Sequence, residues 1–159
     1  MEKQKIYLDT SVISAYFDIK KPVRQIITQK WIENDIKDYE VFIPTLVIDE
    51  INHNTNIDLK NKMLNLLNDL SVEVLEVNDE ILRLSERYRK DVLNKEINDT
   101  IHIAVASFNK INAIVSWNFR HIVNLKTIEK IHKVTVSNDL PIIEVISIEN
   151  IGGYKYGNI

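Results

Sequence analysis

Three acidic residues stand where parallel-sheet proteins often carry their active sites. Asp9 directly follows the strand-like run KIYL, Glu50 lies six residues after Pro44 in IPTLVIDEI, and Asp99 opens the helix-like segment NDTIHIAVASF. Carboxylate oxygens are hard ligands that suit Mg²⁺ or Mn²⁺, and the chain has no cysteine that could form a thiolate zinc site. Mg²⁺ is usually held by such carboxylates together with phosphate oxygens of a substrate. The residue types therefore favour a site for a divalent metal ion.

Each acid also has a purely structural interpretation. Asp9 can cap the following helix by accepting hydrogen bonds from its free N–H groups. Asp99 can stabilise the first turn of its helix through the helix dipole. Glu50 shares a helix face with apolar residues, where a carboxylate is costly unless it is paired, bound to a cation or able to reach solvent. The neighbouring Asp49 falls farther around that helix and is expected to be solvated.

Further polar residues follow the strand-like run NAIV. Ser116 and Asn118 come first; Asn118 offers a carbonyl oxygen and an amide donor, or it caps a following helix. Arg120 comes two residues later and is placed to reach a phosphate. His102 could share a helix face with Asp99, although a packing role is favoured. Four basic residues on one predicted helix are interpreted as a solvated face: Arg83, Arg87, Arg89 and Lys90.

Strand and helix patterns alternate along the chain and must position these side chains. Apolar runs predict strands at residues 5–8, 41–43, 72–77, 112–116 and 142–147. Apolar stripes predict helices at 11–17, 22–37, 45–53, 58–70, 79–92, 98–109 and 125–132, with a helical turn at 119–124. This alternation predicts an α/β fold with three α/β/α layers and a central, mostly parallel sheet. Sites in such sheets gather beyond the carboxyl ends of the strands.

Composition limits the class of protein. With 159 residues, 45% of them hydrophobic, the chain suits one globular domain, assigned to 1–150, followed by a tail at 151–159. A net charge of −3 argues against a protein that wraps duplex nucleic acid through bulk positive charge. The chain has no apolar run long enough to span a bilayer, so a cytoplasmic protein without membrane contact is expected.

Four short motifs, in order along nearly the whole chain, resemble those of the PIN-domain nucleases. They are IYLDTSVIS, IPTLVIDEI, NDTIHIAVA and VSWNFRHI. The resemblance is closest to VapC-type toxin ribonucleases of toxin–antitoxin systems. It implies a PIN-like fold, with Asp9, Glu50 and Asp99 as metal ligands. It also implies supporting roles for Ser11 and Ser116, with Asn118 as the fourth catalytic position.

The resemblance implies an Mg²⁺- or Mn²⁺-dependent endoribonuclease that hydrolyses RNA phosphodiester bonds, acting as the toxin of a toxin–antitoxin pair. The chain departs from the pattern at its fourth position, where many members carry aspartate and this chain has Asn118. Three carboxylates suffice for one divalent ion, whereas a second ion that depends on a fourth carboxylate is put in doubt.

Two other classes of function stay open at this point. One is a catalytically weak or inactive PIN-fold protein that acts as a binding module, for which Asn118 is the hint. The other is a different enzyme on a similar fold, such as a flap-type DNA nuclease. A phosphatase that forms an aspartyl phosphate is disfavoured, because the second residue after Asp9 is Ser11 rather than aspartate.

The resemblance also implies a partner, namely a small antitoxin protein. Tyr16, Phe17 and Trp31, on the early helices, are candidate contacts for it, with core packing favoured for Trp31. The same surface could instead support a homodimer.

Overall fold

One parallel sheet organises the chain in a computed structural model, which describes residues 2–91 and 97–152. Its strands are β1 (Lys5–Leu8), β2 (Glu40–Pro44), β3 (Glu73–Leu75), β4 (Ala113–Val115) and β5 (Glu144–Ile146). They lie in the order β3-β2-β1-β4-β5, and every neighbouring pair is parallel. The five predicted strands are therefore confirmed, and the sheet is wholly parallel.

Helices fill most of the connections. They are α1 (Thr10–Tyr16), α2 (Pro22–Asn34), α3 (Thr45–Asn52), α4 (Ile57–Asp69), α5 (Asp79–Asp91), α6 (Ile97–Phe108) and α7 (Leu125–Ser137). A short 3-10 helix follows α2 at Ile36–Asp38. The predicted polar break at 94–96 and the last residue of the predicted helix 79–92 lie outside the described residues.

Two predicted helix boundaries were wrong. The second helix ends at Asn34 rather than at 37, because the chain tightens there into the 3-10 turn. Residues 119–124 contain the predicted helical turn, in which Ile122 N–H donates to Asn118 O at 3.0 Å, and the side chain of Asn124 then accepts the N–H of Thr127 at the start of α7. Helix α7 runs five residues beyond the predicted 132, because Val134 and Thr135 are buried against the sheet layer.

The strands divide their side chains between two cores. Ile6 and Leu8 of β1 belong to the core that α1–α4 cover, and Tyr7 belongs to the core that α5–α7 cover. Val41 and Ile43 of β2 belong, like Ile6 and Leu8, to the core that α1–α4 cover. Strands buried on both faces are apolar at consecutive positions, which explains the continuous runs in the sequence. The two cores make the three-layer α/β/α arrangement.

The residues predicted to contact a partner divide into two groups. Trp31 is 0% exposed and belongs to the first core, so it packs internally. Tyr16 and Phe17 are half-buried against the same core and line a groove between α1, α2 and α4. Ile19, at the same groove, is 80% exposed. The groove is thus the surface of the early helices that a partner could reach.

The described part of the chain ends at Gly152. Ile151 packs against the first core and Gly152 follows in a turn, whereas residues 153–159 of the predicted tail lie outside the described residues.

Of the helices in the described part of the chain, none combines the length and the apolar character needed to cross a membrane.

Candidate active site

The connections of the sheet place a crevice between β1 and β4. The chain moves from β1 through β2 to β3 in one direction, and from β4 to β5 in the other, so the strand order reverses at this point. Ligands of open parallel sheets bind outside the carboxyl ends of the strands at such a reversal. Asp9 follows β1 and Ser116 follows β4, and Asp9 N–H donates to Val115 O across the pair at 3.5 Å.

Asp9 is a buried carboxylate held by three donors. Its Oδ1 accepts hydrogen bonds from the backbone N–H of Ser11 at 3.0 Å and from the Ser11 hydroxyl. Its Oδ2 accepts a hydrogen bond from the Ser116 hydroxyl. Burial raises the pKa of Asp9, and the hydrogen bonds from Ser11 and Ser116 oppose that effect without cancelling it. Asp9 therefore caps α1, and these hydrogen bonds only partly offset the cost of burying its charged form.

Glu50 lies on α3, the helix that leaves β2, with its side chain 29% exposed. Its Oε2 accepts a hydrogen bond from the Thr10 hydroxyl, next to Asp9 in the chain. Its Oε1 lies 3.4 Å from the donating Nδ2 of Asn98, next to Asp99 in the chain. Glu50 thus faces the residues adjacent to both other acids, whereas Asp49 is exposed.

Asn118 connects the remaining acid to this group. Its Nδ2 donates to Asp99 Oδ1 at 3.5 Å, and its backbone N–H donates to Ser116 Oγ at 2.9 Å. Ser116 in turn binds Asp9. The Oδ1 of Asn118 accepts the N–H of His121 at 3.0 Å, so Asn118 also caps the helical turn that follows it, as predicted. Asn118 is therefore a bridge between Asp99 and the residues around Asp9.

The donor set fits a hard divalent cation. Every candidate ligand is an oxygen, and a bound cation would stabilise the charged form of Asp9, which burial disfavours. Within the described ranges 2–91 and 97–152, however, no three acidic or histidine side chains already stand close enough to hold a metal ion. Ion binding would therefore need rotation of side chains such as those of Glu50 and Asp99, which are half-buried rather than fully enclosed.

Sequence comparison explains why these motifs occur together. The PIN domain family model matches residues 6–122, a span that contains all four candidate positions. This chain belongs to the PIN domain family. A search of curated proteins finds no significant match.

The fold of this PIN domain also resembles a solved structure. A chain of DNA-bound VapBC from Salmonella typhimurium superposes with a TM-score of 0.55 at 15% sequence identity. The alignment covers 91% of this PIN domain and 98% of that chain. At this identity the similarity concerns the fold, and it agrees with the PIN-like architecture expected from the motifs.

His102 lies behind Glu50 in this PIN domain. Its Nδ1 is 2.7 Å from the Tyr7 hydroxyl, and its Nε2 is 3.9 Å from Glu50 Oε1. Burial lowers the pKa of His102 to about 4, against the opposing effect of the Glu50 charge, so the ring is neutral at pH 7. These contacts describe a packed histidine that is hydrogen-bonded to Tyr7 and lies beside Glu50.

The candidate phosphate-binding residues differ in position. Arg120 is exposed, two residues after Asn118. In the cluster on α5, Arg87 donates to Asn138 and Arg89 lies 3.4 Å from Glu86. Asn138 directly follows α7, at the end of that helix away from the site loop. The cluster therefore behaves as the solvated face that was predicted, and Arg120 stays the nearer candidate.

Two supporting residues were missed by sequence reasoning. Thr10 and Asn98 both donate to Glu50, although they lie 40 and 48 residues from it along the chain. Their position beside Asp9 and Asp99 was the only signal available, because spacing alone does not reveal contacts between distant segments.

The Asn118 bridge leads to a prediction about metal affinity. Asn118→Asp places a second carboxylate against Asp99, so we expect the melting temperature in EDTA to fall by a few degrees. Mn²⁺ should then raise the melting temperature more than it does in the wild type, and at a lower concentration. Asn61→Asp, which makes the same charge change at an exposed position on α4, is the control. Identical Mn²⁺ dependence in the wild type and Asn118→Asp would assign Asn118 to capping alone.

Proposed function

We propose that this PIN domain is an Mg²⁺- or Mn²⁺-dependent endoribonuclease. The observation that carries the proposal is the hydrogen-bond network in which Thr10, Asn98, Asn118 and Ser116 link the surroundings of Asp9, Glu50 and Asp99 at the strand-order reversal. Stability alone does not require the surroundings of three acids from three separate elements to be linked at one edge of the sheet. Metal-assisted hydrolysis does require such a group.

Each residue of the network has a defined task under this proposal. Asp9, Glu50 and Asp99 would hold the ion, while Ser11 and Ser116 fix the carboxylate of Asp9 in one orientation. Asn118 orients Asp99, and Arg120 binds a substrate phosphate. A divalent ion bound there lowers the pKa of a water molecule and offsets charge that develops on the phosphate during hydrolysis.

Single-stranded RNA is the substrate that suits this surface. A net charge of −3 gives no broad positive face for a duplex, and the basic cluster on α5 makes contacts away from the site. Single strands instead offer an open backbone and unstacked bases to a narrow site. The DNA in the VapBC structure is bound by that complex, so DNA belongs among the substrates to be tested.

The experiment is a cleavage assay with matched substrates. Purified protein is incubated with single-stranded RNA, single-stranded DNA and a DNA flap of one sequence, each in Mg²⁺, Mn²⁺ or EDTA. Cleavage of RNA alone, with either metal and not in EDTA, supports the proposal. Preferential cleavage of the flap would assign a DNA nuclease, and no cleavage of any substrate would assign a binding module.

The proposal extends to a toxin controlled by a small antitoxin protein. A structural neighbour comes from a VapBC complex, and the groove between α1, α2 and α4 presents Tyr16, Phe17 and the exposed Ile19. An antitoxin segment that lies there would bury apolar surface and could carry a basic side chain to the acids. A second copy of the chain in the groove, forming a homodimer, would be seen as a doubled mass in solution.

Expression of the chain alone in a bacterial host should slow growth, because uncontrolled RNA cleavage stops protein synthesis. Asp9→Asn should restore growth, whereas Asp49→Asn, an exposed acid outside the network, should not. Growth rate and protein level are measured together, so that restoration by poor expression is recognised. Normal growth with abundant wild-type protein would contradict the toxin role and leave the nuclease proposal standing.

A further inference from the structure

A group of aromatic and basic side chains lies beside the candidate active site, where the start of α2 meets the loop after β4. The guanidinium carbon of Arg24 is 4.9 Å from the ring centroid of Trp117 and 5.7 Å from that of Phe119. The two rings meet edge to face, with their centroids 5.8 Å apart. We call Arg24, Trp117 and Phe119 the aromatic–arginine cluster.

The cluster has a fixed base and an open face. Trp117 is 4% exposed, and its indole N–H donates to the Thr28 hydroxyl at 2.9 Å. Phe119 is 41% exposed, and the neighbouring Val23 is 66% exposed. The Phe119 ring is thus packed against the fixed Trp117 ring and partly exposed to solvent. An exposed aromatic ring of this kind can stack with another flat, apolar group.

Arg24 has binding capacity that the protein does not use. Its guanidinium donates no hydrogen bond and forms no salt bridge to any residue within 2–91 or 97–152, so the aromatic contacts are what hold it. A stacked guanidinium keeps its in-plane N–H donors for an anion such as phosphate. Lys21 lines the same depression, where Glu149 is the acidic residue, and the exposed Arg120 follows Phe119 in the chain.

We propose that the aromatic–arginine cluster binds one nucleotide of single-stranded RNA beside the scissile bond. A base stacks on Phe119, and Arg24 binds the adjoining phosphate. This inference rests on the proposed ribonuclease function and adds the residues that hold its substrate.

The position of Phe119 in the chain places the cluster beside the candidate site. Phe119 directly follows Asn118, which contacts Asp99, and consecutive Cα atoms are about 3.8 Å apart. Under this inference the stacked base belongs to a nucleotide near the cleaved bond. Stacking accepts every base, so the cluster gives affinity with little sequence preference, and it does so in a chain whose net charge is −3.

Binding of a labelled RNA oligonucleotide tests the inference without cleavage. Fluorescence anisotropy is measured in EDTA at low salt, with the full chain and a single-stranded oligoribonucleotide of mixed sequence. Phe119→Ala should weaken binding about 5- to 150-fold, the range for loss of one stacked base. Phe119→Leu, which keeps apolar bulk without a π face, should weaken binding similarly, and Phe119→Trp should retain it. Arg24→Gln should reduce the slope of log K against log salt by about 0.7.

Two control variants and an abasic oligonucleotide distinguish loss of stacking from a general loss of structure. Val136→Ala, at a position 56% exposed on α7, and Arg83→Gln on α5 should leave binding unchanged. An abasic oligonucleotide should bind the wild type and Phe119→Leu equally, because it has no base to stack. The inference fails if Phe119→Leu binds the normal oligonucleotide as tightly as the wild type does. It also fails if the substitution weakens binding of the abasic oligonucleotide as much as it weakens binding of the normal one.

Failure of this inference is distinct from failure of the proposed function. If Phe119→Leu leaves both metal-dependent RNA cleavage and RNA binding unchanged, the cluster does not bind the substrate, and the proposed ribonuclease function still stands. If the protein binds RNA through Phe119 but cleaves no RNA with any metal, the inference about the cluster stands and the proposed ribonuclease function fails.

Discussion

Asp9→Asn should lower metal-dependent RNA cleavage by about 10³-fold or more while the protein stays folded. Loss of a ligand removes several kcal/mol of charge stabilisation, and each 1.36 kcal/mol corresponds to about a tenfold change in rate. The asparagine keeps the shape of the side chain and an oxygen that can accept the Ser11 N–H. The Ser116 hydroxyl can rotate to accept from the new amide group. The steady-state rate of RNA cleavage in saturating Mn²⁺ is the measurement.

The same substitution should raise thermal stability when no metal is present. Burial raises the pKa of Asp9, so the charged form costs stability at neutral pH, and the neutral asparagine removes that cost. A gain of about 1 kcal/mol would raise the melting temperature by about 2–4 °C. An inactive variant that also melts earlier would point to structural damage, and a fully active variant would remove Asp9 from the reaction.

Glu50→Gln and Asp49→Asn should differ strongly in activity although both remove one negative charge from neighbouring positions of α3. Glu50 accepts from Thr10 and lies 3.4 Å from the donor Asn98, whereas Asp49 is exposed. We expect Glu50→Gln to lower cleavage about 10²-fold or more, because it removes a charged ligand. Asp49→Asn should stay within about twofold, as is usual for exposed side chains away from a site.

Both substitutions lie on the same helix, remove one negative charge and preserve the shape of the side chain they replace, so the comparison tests position. Circular dichroism and melting temperature of both variants establish that neither has unfolded. Mn²⁺-induced stabilisation should be reduced in Glu50→Gln and unchanged in Asp49→Asn. Equal activities of the two variants would show that Glu50 supports the fold only.

The sheet could be predicted because its strands are buried on both faces and therefore apolar at consecutive positions. The run KIYL and the run VFI before Pro44 have few other interpretations at that length. The end of α2 could not be predicted in the same way. Local hydrogen bonds decide it, such as the one from Asp38 N–H to Asp35 O at 3.0 Å in the 3-10 turn, and similar residues occur within helices as well.

The positions of several candidate residues at the strand ends could be predicted from the sequence, whereas the contacts among them could not. Asp9, Ser116 and Asn118 stand at strand ends, so their approach to one another follows from a parallel sheet. The pairing of Thr10 and Asn98 with Glu50, and the stacking of Arg24 on Trp117, join segments that are dozens of residues apart. Such contacts depend on how α2, α3 and α6 pack against the sheet, which no local pattern encodes.

Cleavage of single-stranded RNA by the purified wild-type protein tests the central claim most directly. RNA is incubated with the protein in Mn²⁺, in excess EDTA, and in EDTA followed by excess Mn²⁺, with Asp99→Asn prepared in parallel to reveal any contaminating nuclease. The account predicts cleavage in Mn²⁺, none in EDTA, recovery on adding Mn²⁺ back, and none by Asp99→Asn. RNA cleavage that persists in EDTA, or that Asp99→Asn performs as well as the wild type, would contradict it.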